Sequence, residues 1–239
     1  MADIEELVEQ FKADATRTGA VVYEAEGAGD ARDYVLKLAQ EHGVRHIVKS
    51  KSAVAEAIGL REHLEEAGIE VRETDIGQWI AQLAGEKAEP VIDKTIEQVA
   101  GLISAETGQK LGPEPEAVMG AARRYLRQSY INADMGITGA DFGIAETGTM
   151  VNLSNDGNDR LASVLPPVHV TMMKRENIVA TLSDAIHRIK SLTGESAGGQ
   201  IPSYITYHTG RNTTGDIRGA LMARAQGPEE EHIVLLGNS

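Results

Sequence analysis

The chain contains no cysteine, and this absence excludes several kinds of function. Without thiols it can form no disulfide, perform no cysteine catalysis, and hold neither a cysteine-ligated zinc ion nor an iron–sulfur cluster. Its histidines and carboxylates show no metal-ligand spacing along the sequence, so we predict that this chain binds no metal and no cofactor of its own. The usual sequence signatures of dinucleotide, nucleoside-triphosphate and α/β-hydrolase sites are also missing.

Aromatic and basic residues are scarce as well. Aromatics make up 4% of the 239 residues, which leaves few rings on which the bases of a single-stranded nucleic acid could stack. The 23 lysines and arginines face 36 acidic residues, for a net charge of −13. Because such a surface repels phosphate backbones and anionic membranes, we predict neither a nucleic-acid nor a membrane partner. A small anionic ligand stays compatible with this charge, since one lysine and one arginine suffice within a pocket.

Long apolar runs are missing too, so the sequence predicts no membrane-spanning helix. The opening segment MADIEELVEQFKADA is acidic and lacks the features of a secretion signal. Together these features predict a cytoplasmic protein. A hydrophobic content of 41% suffices for a buried core, and we predict a single domain over residues 1–239.

Short apolar segments alternate with helical patterns along most of the chain. This alternation is typical of βαβ units and predicts an α/β fold with a mainly parallel sheet. A helix is expected within residues 1–18 and a helical insert at 92–131. Strands are predicted at 20–25, 46–50, 69–74, 168–173, 203–207 and 232–236, and further helices at 31–41, 53–67 and 178–192.

The run from Ile137 to Leu165 is the most unusual part of the sequence. Four glycines, at positions 139, 143, 148 and 157, allow sharp turns or the close approach of a ligand. We predict a strand, a tight turn and a second strand over residues 135–153, and expect most of a functional site here. Polar side chains that could contact a ligand lie between the glycines: Thr138, Thr147, Thr149, Ser154, Asn155 and Asn158.

Glu146 lies within this run, in the segment Glu146-Thr147-Gly148-Thr149. A carboxylate among small residues can act as a base, a nucleophile or a hydroxyl acceptor. The alternative is a hairpin turn that carries a solvated glutamate. We favour the functional interpretation because the nearby segment NDGNDR, residues 155–160, adds more glycine and polar side chains.

Two predicted strands end in further polar residues. Lys51 and Ser52 follow the second strand, and Thr74 and Asp75 follow the third. Ligands in open α/β sheets bind beyond the carboxyl ends of the strands, although these residues could equally be helix caps and a solvated lysine. We expect one cleft to be lined by Lys51, Thr74, Glu146, Thr149, Asn155 and Arg160.

Five segments, in order along the chain, carry a family likeness. They are VKSKS, ETDIGQWIAQL, ADMGITGADFGIAETGTMVNLSNDGNDR, LPPVHVTMM and GPEEEHIVLL. From Ile47 onwards the sequence thereby resembles the LUD domain of the lactate-utilisation proteins found in bacterial L-lactate oxidation operons. The resemblance implies a Rossmann-like core, of the group that holds sugar-phosphate isomerases, CoA transferases and 5-formyltetrahydrofolate cyclo-ligase.

The resemblance also implies a set of site residues, with Glu146 as the candidate catalytic residue. The family pattern includes Glu73 and Gly77 besides the ligand-binding positions. Those ligand-binding positions are Lys51, Ser52, Thr74, Asp75, Thr138, Gly139, Thr147, Gly148, Thr149, Asn155, Gly157, Asn158 and Arg160.

The function implied by the resemblance is an accessory part in the oxidation of L-lactate to pyruvate, beside iron–sulfur partner subunits. Larger family members continue into cysteine-rich ferredoxin-like segments, so any cluster would belong to a partner of this chain. The sequence also reads EPVIDKTIEQ where relatives often have histidines. One alternative is an enzyme that acts on a CoA ester, a sugar phosphate or a folate-like substrate through Glu146. Another is a structural subunit, and a homo-oligomer is compatible with each.

Overall fold

A parallel β-sheet forms the centre of the structure, a computed structural model that describes residues 3–87, 93–195, 202–217, 220–223 and 225–237. Twelve strands lie among these residues. They are β1 (Val21–Ala25), β2 (His46–Lys49), β3 (Glu70–Glu73), β4 (Met135–Gly139), β5 (Phe142–Ile144), β6 (Thr149–Ser154), β7 (Val168–Lys174), β8 (Ile178–Val179), β9 (Tyr204–Thr209), β10 (Thr213–Ile217), β11 (Ala220–Ala223) and β12 (Glu230–Leu236).

The central sheet has the strand order β1-β12-β7-β4-β2-β3, and each neighbouring pair is parallel. Val170 in the middle of β7 pairs with His232 on one side and with Ile137 on the other. The carboxyl ends of the six strands therefore meet at one edge of the sheet. This arrangement confirms the predicted α/β fold with a mainly parallel sheet.

The helices begin at residues that suit a helix N-terminus. Asp75 Oδ1 accepts a hydrogen bond from Gln78 N at 3.0 Å, and Thr95 and Gln98 cap each other's backbone amides. No helix of the described residues is both long and apolar enough to cross a membrane. The helices are α1 (Ile4–Arg17), α2 (Ala28–Glu41), α3 (Ala53–Ala57), α4 (Leu60–Glu66), α5 (Ile76–Ala84), α6 (Ile96–Thr107), α7 (Pro115–Asn132), α8 (Asn158–Val164) and α9 (Leu182–Glu195).

Helices cover both faces of the central sheet. On one face, Val35 of α2 and Leu64 of α4 pack against Val170 and the other apolar residues of the strands. On the opposite face, Phe11 of α1 packs against Met173 of β7. Each of these side chains is almost completely buried, so both faces contribute to the hydrophobic stabilisation of the sheet.

The predicted helical insert corresponds to α6 and α7, which pack with α5 around a cluster of their own. Trp79 of α5 stacks on Tyr125 of α7 with 5.4 Å between the ring centroids. The predicted start of the insert at residue 92 lies outside the described residues, and the described insert helices run over 96–107 and 115–132.

A smaller sheet lies beside the central one, with the strand order β8-β5-β6-β9, and β10 and β11 form a separate hairpin. The strand–turn–strand expected over residues 135–153 is therefore only partly correct. β4 ends at Gly139 within the central sheet, and Asp141 N then donates to Val151 O at 2.9 Å and starts the β5–β6 hairpin.

Two segments predicted to be helical have boundaries that the sequence pattern does not give. The helices expected through 53–67 are α3 and α4, which are separated at Gly59, because that residue adopts a left-handed backbone with φ of 63°. The helix expected at 178–192 begins only at Leu182, since residues 178–179 form β8 and pair with β5. In both cases a contact or backbone conformation outside the helical repeat decides the outcome.

Candidate functional site

A cleft of about 930 Å³ opens at the carboxyl edge of the central sheet. It lies beyond the ends of β2, β4 and β7, and strand β6 of the smaller sheet forms part of its wall. We call it the strand-end cleft. Six of the ligand-binding positions implied by the family resemblance line it: Lys51, Ser52, Asp75, Gly139, Asn155 and Asn158.

Several of these side chains also bond within the protein. Ser52 Oγ accepts a hydrogen bond from Ala55 N at 3.2 Å, so Ser52 caps α3 while Asp75 caps α5. Asn155 Oδ1 accepts from Ser203 N at 3.2 Å. The helix-cap interpretation and the cleft-lining interpretation are thus both correct for Ser52 and Asp75.

Three buried polar atoms in the strand-end cleft have no hydrogen-bond partner among the described residues. They are Ser50 Oγ, Asp159 Oδ1 and Glu176 Oε2, and the first two belong to residues that are 2% and 7% exposed. Buried polar groups are nearly always hydrogen-bonded, so these atoms are available to a bound molecule. Ser50 and Asp159 are not among the predicted site residues, although each lies within a segment, VKSKS or NDGNDR, that the prediction used.

The charges around the strand-end cleft are mainly negative. Lys51 and Lys174 are its basic residues, whereas the acidic residues are Asp75, Asp141, Asp156, Asp159 and Glu176. An excess of carboxylates favours a ligand with hydroxyl or cationic groups in this part of the site.

A second cleft, of about 580 Å³, carries the opposite charge. Arg123 and Arg127 of α7 and Arg160 of α8 line it, and we call it the arginine cleft. The Arg160 guanidinium lies over the Tyr204 ring, 5.2 Å from its centroid. Burial raises the pKa of Tyr130 to about 12, so its hydroxyl keeps its proton at neutral pH.

The two clefts are connected through the NDGN turn. Asp156 and Asn158 line both of them, and Asn158 Nδ2 donates to Thr74 Oγ1 at 3.3 Å. Gly157 makes this turn with φ of 72°, and a Cβ there would lie 3.0 Å from the Tyr204 ring. The structure therefore places Thr74, Gly157 and Arg160 at the arginine cleft rather than at the strand-end cleft.

A third cleft, of about 590 Å³, contains a buried ion pair between neighbouring strands. Lys49 Nζ lies 3.1 Å from both carboxylate oxygens of Glu73 and 3.7 Å from Glu56 Oε1. Burial raises the pKa of Glu73, although Lys49 and Arg61 act in the opposite direction. Lys49 is fully buried, so this ion pair is shielded from solvent at the end of the sheet.

Comparisons with known proteins identify the family. The LUD domain profile matches residues 8–236. The chain is 36% identical to lactate utilization protein B of Bacillus velezensis, over 97% of this chain and 48% of that protein. It is 34% identical to the uncharacterized electron transport protein YkgF of Escherichia coli, over 100% of this chain and 49% of that protein. The chain belongs to the LUD domain family.

This LUD domain spans about half the length of the curated relatives that it matches. A solved structure, a DUF162 family protein from Deinococcus radiodurans, resembles it with a TM-score of 0.54. The two chains share 14% sequence identity, and the match covers 99% of this chain and 100% of the other. At that identity the likeness supports the fold alone.

The remaining predicted site residues lie away from both the strand-end cleft and the arginine cleft. Glu146 is exposed at the β5–β6 turn, and its Oε1 accepts a hydrogen bond from Leu182 N at 2.7 Å. It thereby caps the start of α9, where a carboxylate is stabilising. The expectation that Glu146 shares one cleft with Lys51 and Arg160 is therefore wrong.

Its neighbours in the LUD domain also have partners within the protein. Thr147 and Thr149 share a hydroxyl hydrogen bond of 2.7 Å, and Thr149 contacts Thr209 of β9 at 2.6 Å. Gly148 lies against the backbone of α1, and Thr138 is buried beside His169. The structure thus does not bring Thr138, Thr147, Gly148 or Thr149 to the strand-end cleft or the arginine cleft.

Proposed function

We propose that this LUD domain acts in lactate utilisation, as an accessory component in the oxidation of L-lactate to pyruvate. The names of its relatives, lactate utilization protein B and an electron transport protein, support this role. The chain has no cysteine, so electrons would pass to iron–sulfur clusters in partner subunits. The part of this LUD domain is to bind and orient a small anionic ligand.

The arginine cleft is the observation that carries the ligand proposal. Three guanidinium groups, from Arg123, Arg127 and Arg160, line one cleft in a protein whose overall charge is strongly negative. A guanidinium presents two parallel N–H donors to a carboxylate or phosphate, which gives both affinity and orientation. The adjoining strand-end cleft offers Ser50 Oγ and Asp159 Oδ1 to the polar groups of the same ligand.

The alternative of an enzyme that uses Glu146 gains no support from this geometry. Its carboxylate caps α9 and lies on neither of the ligand clefts. A carboxylate that acts on a substrate must lie within hydrogen-bond reach of the reacting proton. The binding proposal therefore rests on Arg160 and its neighbours and involves no chemistry at Glu146.

The accessory role predicts a dependence on partners. Purified alone, this chain should reduce an artificial electron acceptor with L-lactate no faster than background. Mixed with iron–sulfur lactate-oxidation subunits, it should support reduction that is lost when this chain is omitted. The measurement is anaerobic dye reduction with and without each component. Robust lactate-dependent reduction by this chain alone would refute the accessory role, and so would a mixture equally active without it.

The binding role predicts a specific loss in the Arg160→Lys variant. Lysine keeps the positive charge but lacks the two parallel N–H donors of arginine. Affinity for the anion should therefore fall about tenfold to a hundredfold, the equivalent of about 1.5–3 kcal/mol. Isothermal titration with lactate, pyruvate and phosphate measures this change. Melting without ligand should hardly differ from the parent, because Arg160 is exposed.

Arg124→Lys is the matched control for this experiment. Arg124 is exposed on the same helix as Arg123, contacts Gln109 at 3.3 Å, and does not line the arginine cleft. Its replacement should leave affinity unchanged. Equal losses in the two variants, or no binding of these three anions to the parent protein, would contradict the assignment of the arginine cleft.

A further inference from the structure

Two histidines and a glutamate meet between the central sheet and the smaller sheet. His169 lies on β7, Glu231 on β12 and His208 on β9. His169 Nδ1 lies 2.9 Å from Glu231 Oε1, and His208 Nε2 lies 3.0 Å from Glu231 Oε2. The two imidazole rings are parallel, with centroids 5.3 Å apart. Each ring has one nitrogen facing the carboxylate of Glu231.

The carboxylate at the centre of this cluster is only partly satisfied. Glu231 is 1% exposed, and the contact of 3.0 Å from His208 Nε2 to its Oε2 is poorly aligned for a hydrogen bond among the described residues. One ligand atom from each of the three side chains lies within 4.8 Å of the others. A buried carboxylate oxygen without a hydrogen-bond donor is costly unless another positive partner satisfies it.

The outer contacts hold both imidazoles in place. Thr138 Oγ1 lies 2.9 Å from His169 Nε2, which leaves Nδ1 facing Glu231. His208 also hydrogen-bonds the backbone of Gly210. A metal-binding histidine commonly uses one ring nitrogen for the ion while the other is fixed by such a partner.

We propose that His169, His208 and Glu231 form a binding site for a divalent first-row transition-metal ion such as Zn²⁺. Two imidazoles and one carboxylate are an established zinc-ligand set that leaves one position open. Ligand atoms bonded at about 2.1 Å to one tetrahedral ion lie about 3.4 Å apart. The two histidine–carboxylate separations, 2.9 and 3.0 Å, would therefore open by only about 0.4–0.5 Å around an ion. Imidazole ligands favour zinc, iron, nickel or copper over magnesium and calcium.

The site was not predictable from local spacing. Its three ligands come from three strands that are distant in the sequence, so no short motif of the usual kind connects them. His169 lies in an apolar strand and is only 1% exposed, so its sequence context gives no sign of a ligand. His208 is the most exposed ligand of the three, with 19% of its side chain accessible, and provides a route for the ion to enter.

Metal binding to the full chain tests the proposal. After removal of metals with a chelator and extensive dialysis, the protein should bind Co²⁺ with one equivalent and develop visible d–d absorption. Zn²⁺ should displace the Co²⁺ and raise the melting temperature, because it binds the folded state selectively. A protein that shows neither the cobalt spectrum nor a zinc-dependent melting shift would overturn the proposal.

Variants locate the ion in the structure. Removal of a residue that only supports a metal ligand lowers metal affinity about 10–100-fold, and Thr138→Val should cause a loss in this range. His208→Ala and Glu231→Gln each remove a ligand and should therefore lower metal affinity by more than that. His187→Ala is the control, since His187 is exposed on α9 and contacts only the Ser183 carbonyl oxygen among its described hydrogen bonds. Circular dichroism verifies that each variant is folded.

His208→Ala is the most informative variant of this series. The His208 side chain is partly exposed, so its removal should disturb folding least. Unchanged cobalt affinity in a folded His208→Ala variant would show that the cluster is an ion-pair network without a metal. Loss in His187→Ala of the same size as in His208→Ala would place the ion elsewhere and would likewise overturn the assignment.

Discussion

The Lys49→Met variant should lose about 3–5 kcal/mol of unfolding free energy at neutral pH, because it leaves a buried carboxylate without its partner. Lys49 Nζ contacts both oxygens of Glu73 at 3.1 Å, and Glu73 is 4% exposed. Arg61 Nε remains 3.8 Å from Glu73, which favours the lower end of this range. Urea denaturation followed by circular dichroism measures the loss.

This loss should depend on pH in a definite direction. Burial already raises the pKa of Glu73 above its ordinary value of 4.5, and without Lys49 that pKa rises further. A group with a raised pKa in the folded state favours folding below its unfolded pKa and loses that contribution as the pH rises through its folded pKa. The deficit of Lys49→Met relative to the parent should therefore shrink as the pH falls from 7 towards 4.5.

Two further variants complete the test of this ion pair. The double variant Lys49→Met with Glu73→Gln should recover much of the loss, since it removes the buried charge. Lys37→Met is the matched control, because Lys37 is 74% exposed and its contact with Glu41 at 3.8 Å should contribute little. A Lys49→Met protein as stable as Lys37→Met would contradict a buried pair at this position.

Gly148→Ala should destabilise the protein by about 2–5 kcal/mol in the absence of any ligand. Gly148 has a φ of 63°, and a Cβ there would lie 2.2 Å from the backbone nitrogen of Ala15 in α1. The substitution therefore combines an unfavourable left-handed conformation with a clash against a helix backbone. The midpoint of urea unfolding measures the effect.

Gly101→Ala is the control with the same chemical change. Gly101 lies inside α6, and a Cβ there would meet no heavy atom within 4 Å. Alanine should stabilise this helix by about 0.5–1 kcal/mol. If Gly148→Ala were as stable as the parent, the contact between the β5–β6 turn and α1 would be wrong, and a role for Gly148 in ligand binding would regain support.

Most of the central fold could be predicted from the sequence. β2 and β7 are short apolar segments, and β2 lies between two helices with clear periodicity, so the local pattern predicts both strands. The two sheets could not be distinguished in this way. β4 and β5 are separated only by Ala140 and Asp141, and their partners come from other parts of the chain.

The candidate site was predictable where a topological rule applied. Lys51 and Asp75 follow strands of a parallel sheet, and the carboxyl ends of such strands meet at one edge. Glu146 and Gly148 were assigned to the cleft because they lie in a glycine-rich segment. Glycines indicate that the backbone approaches something closely, but they do not identify the partner. Here the partner of Gly148 is the backbone of α1 rather than a ligand.

The position of β12 has a consequence for how the protein is made. β1 pairs only with β12 among the described strands, and Val21 and His232 in that pair lie roughly 200 residues apart. At about 5–20 residues per second, β1 would wait on the order of 10–40 s on the ribosome for its partner to be synthesised. The last strand must then enter between β1 and β7, which is a slow, non-local step. Until β12 is made, β1 and β7 therefore each present an unpaired backbone edge at which a strand of another molecule could pair.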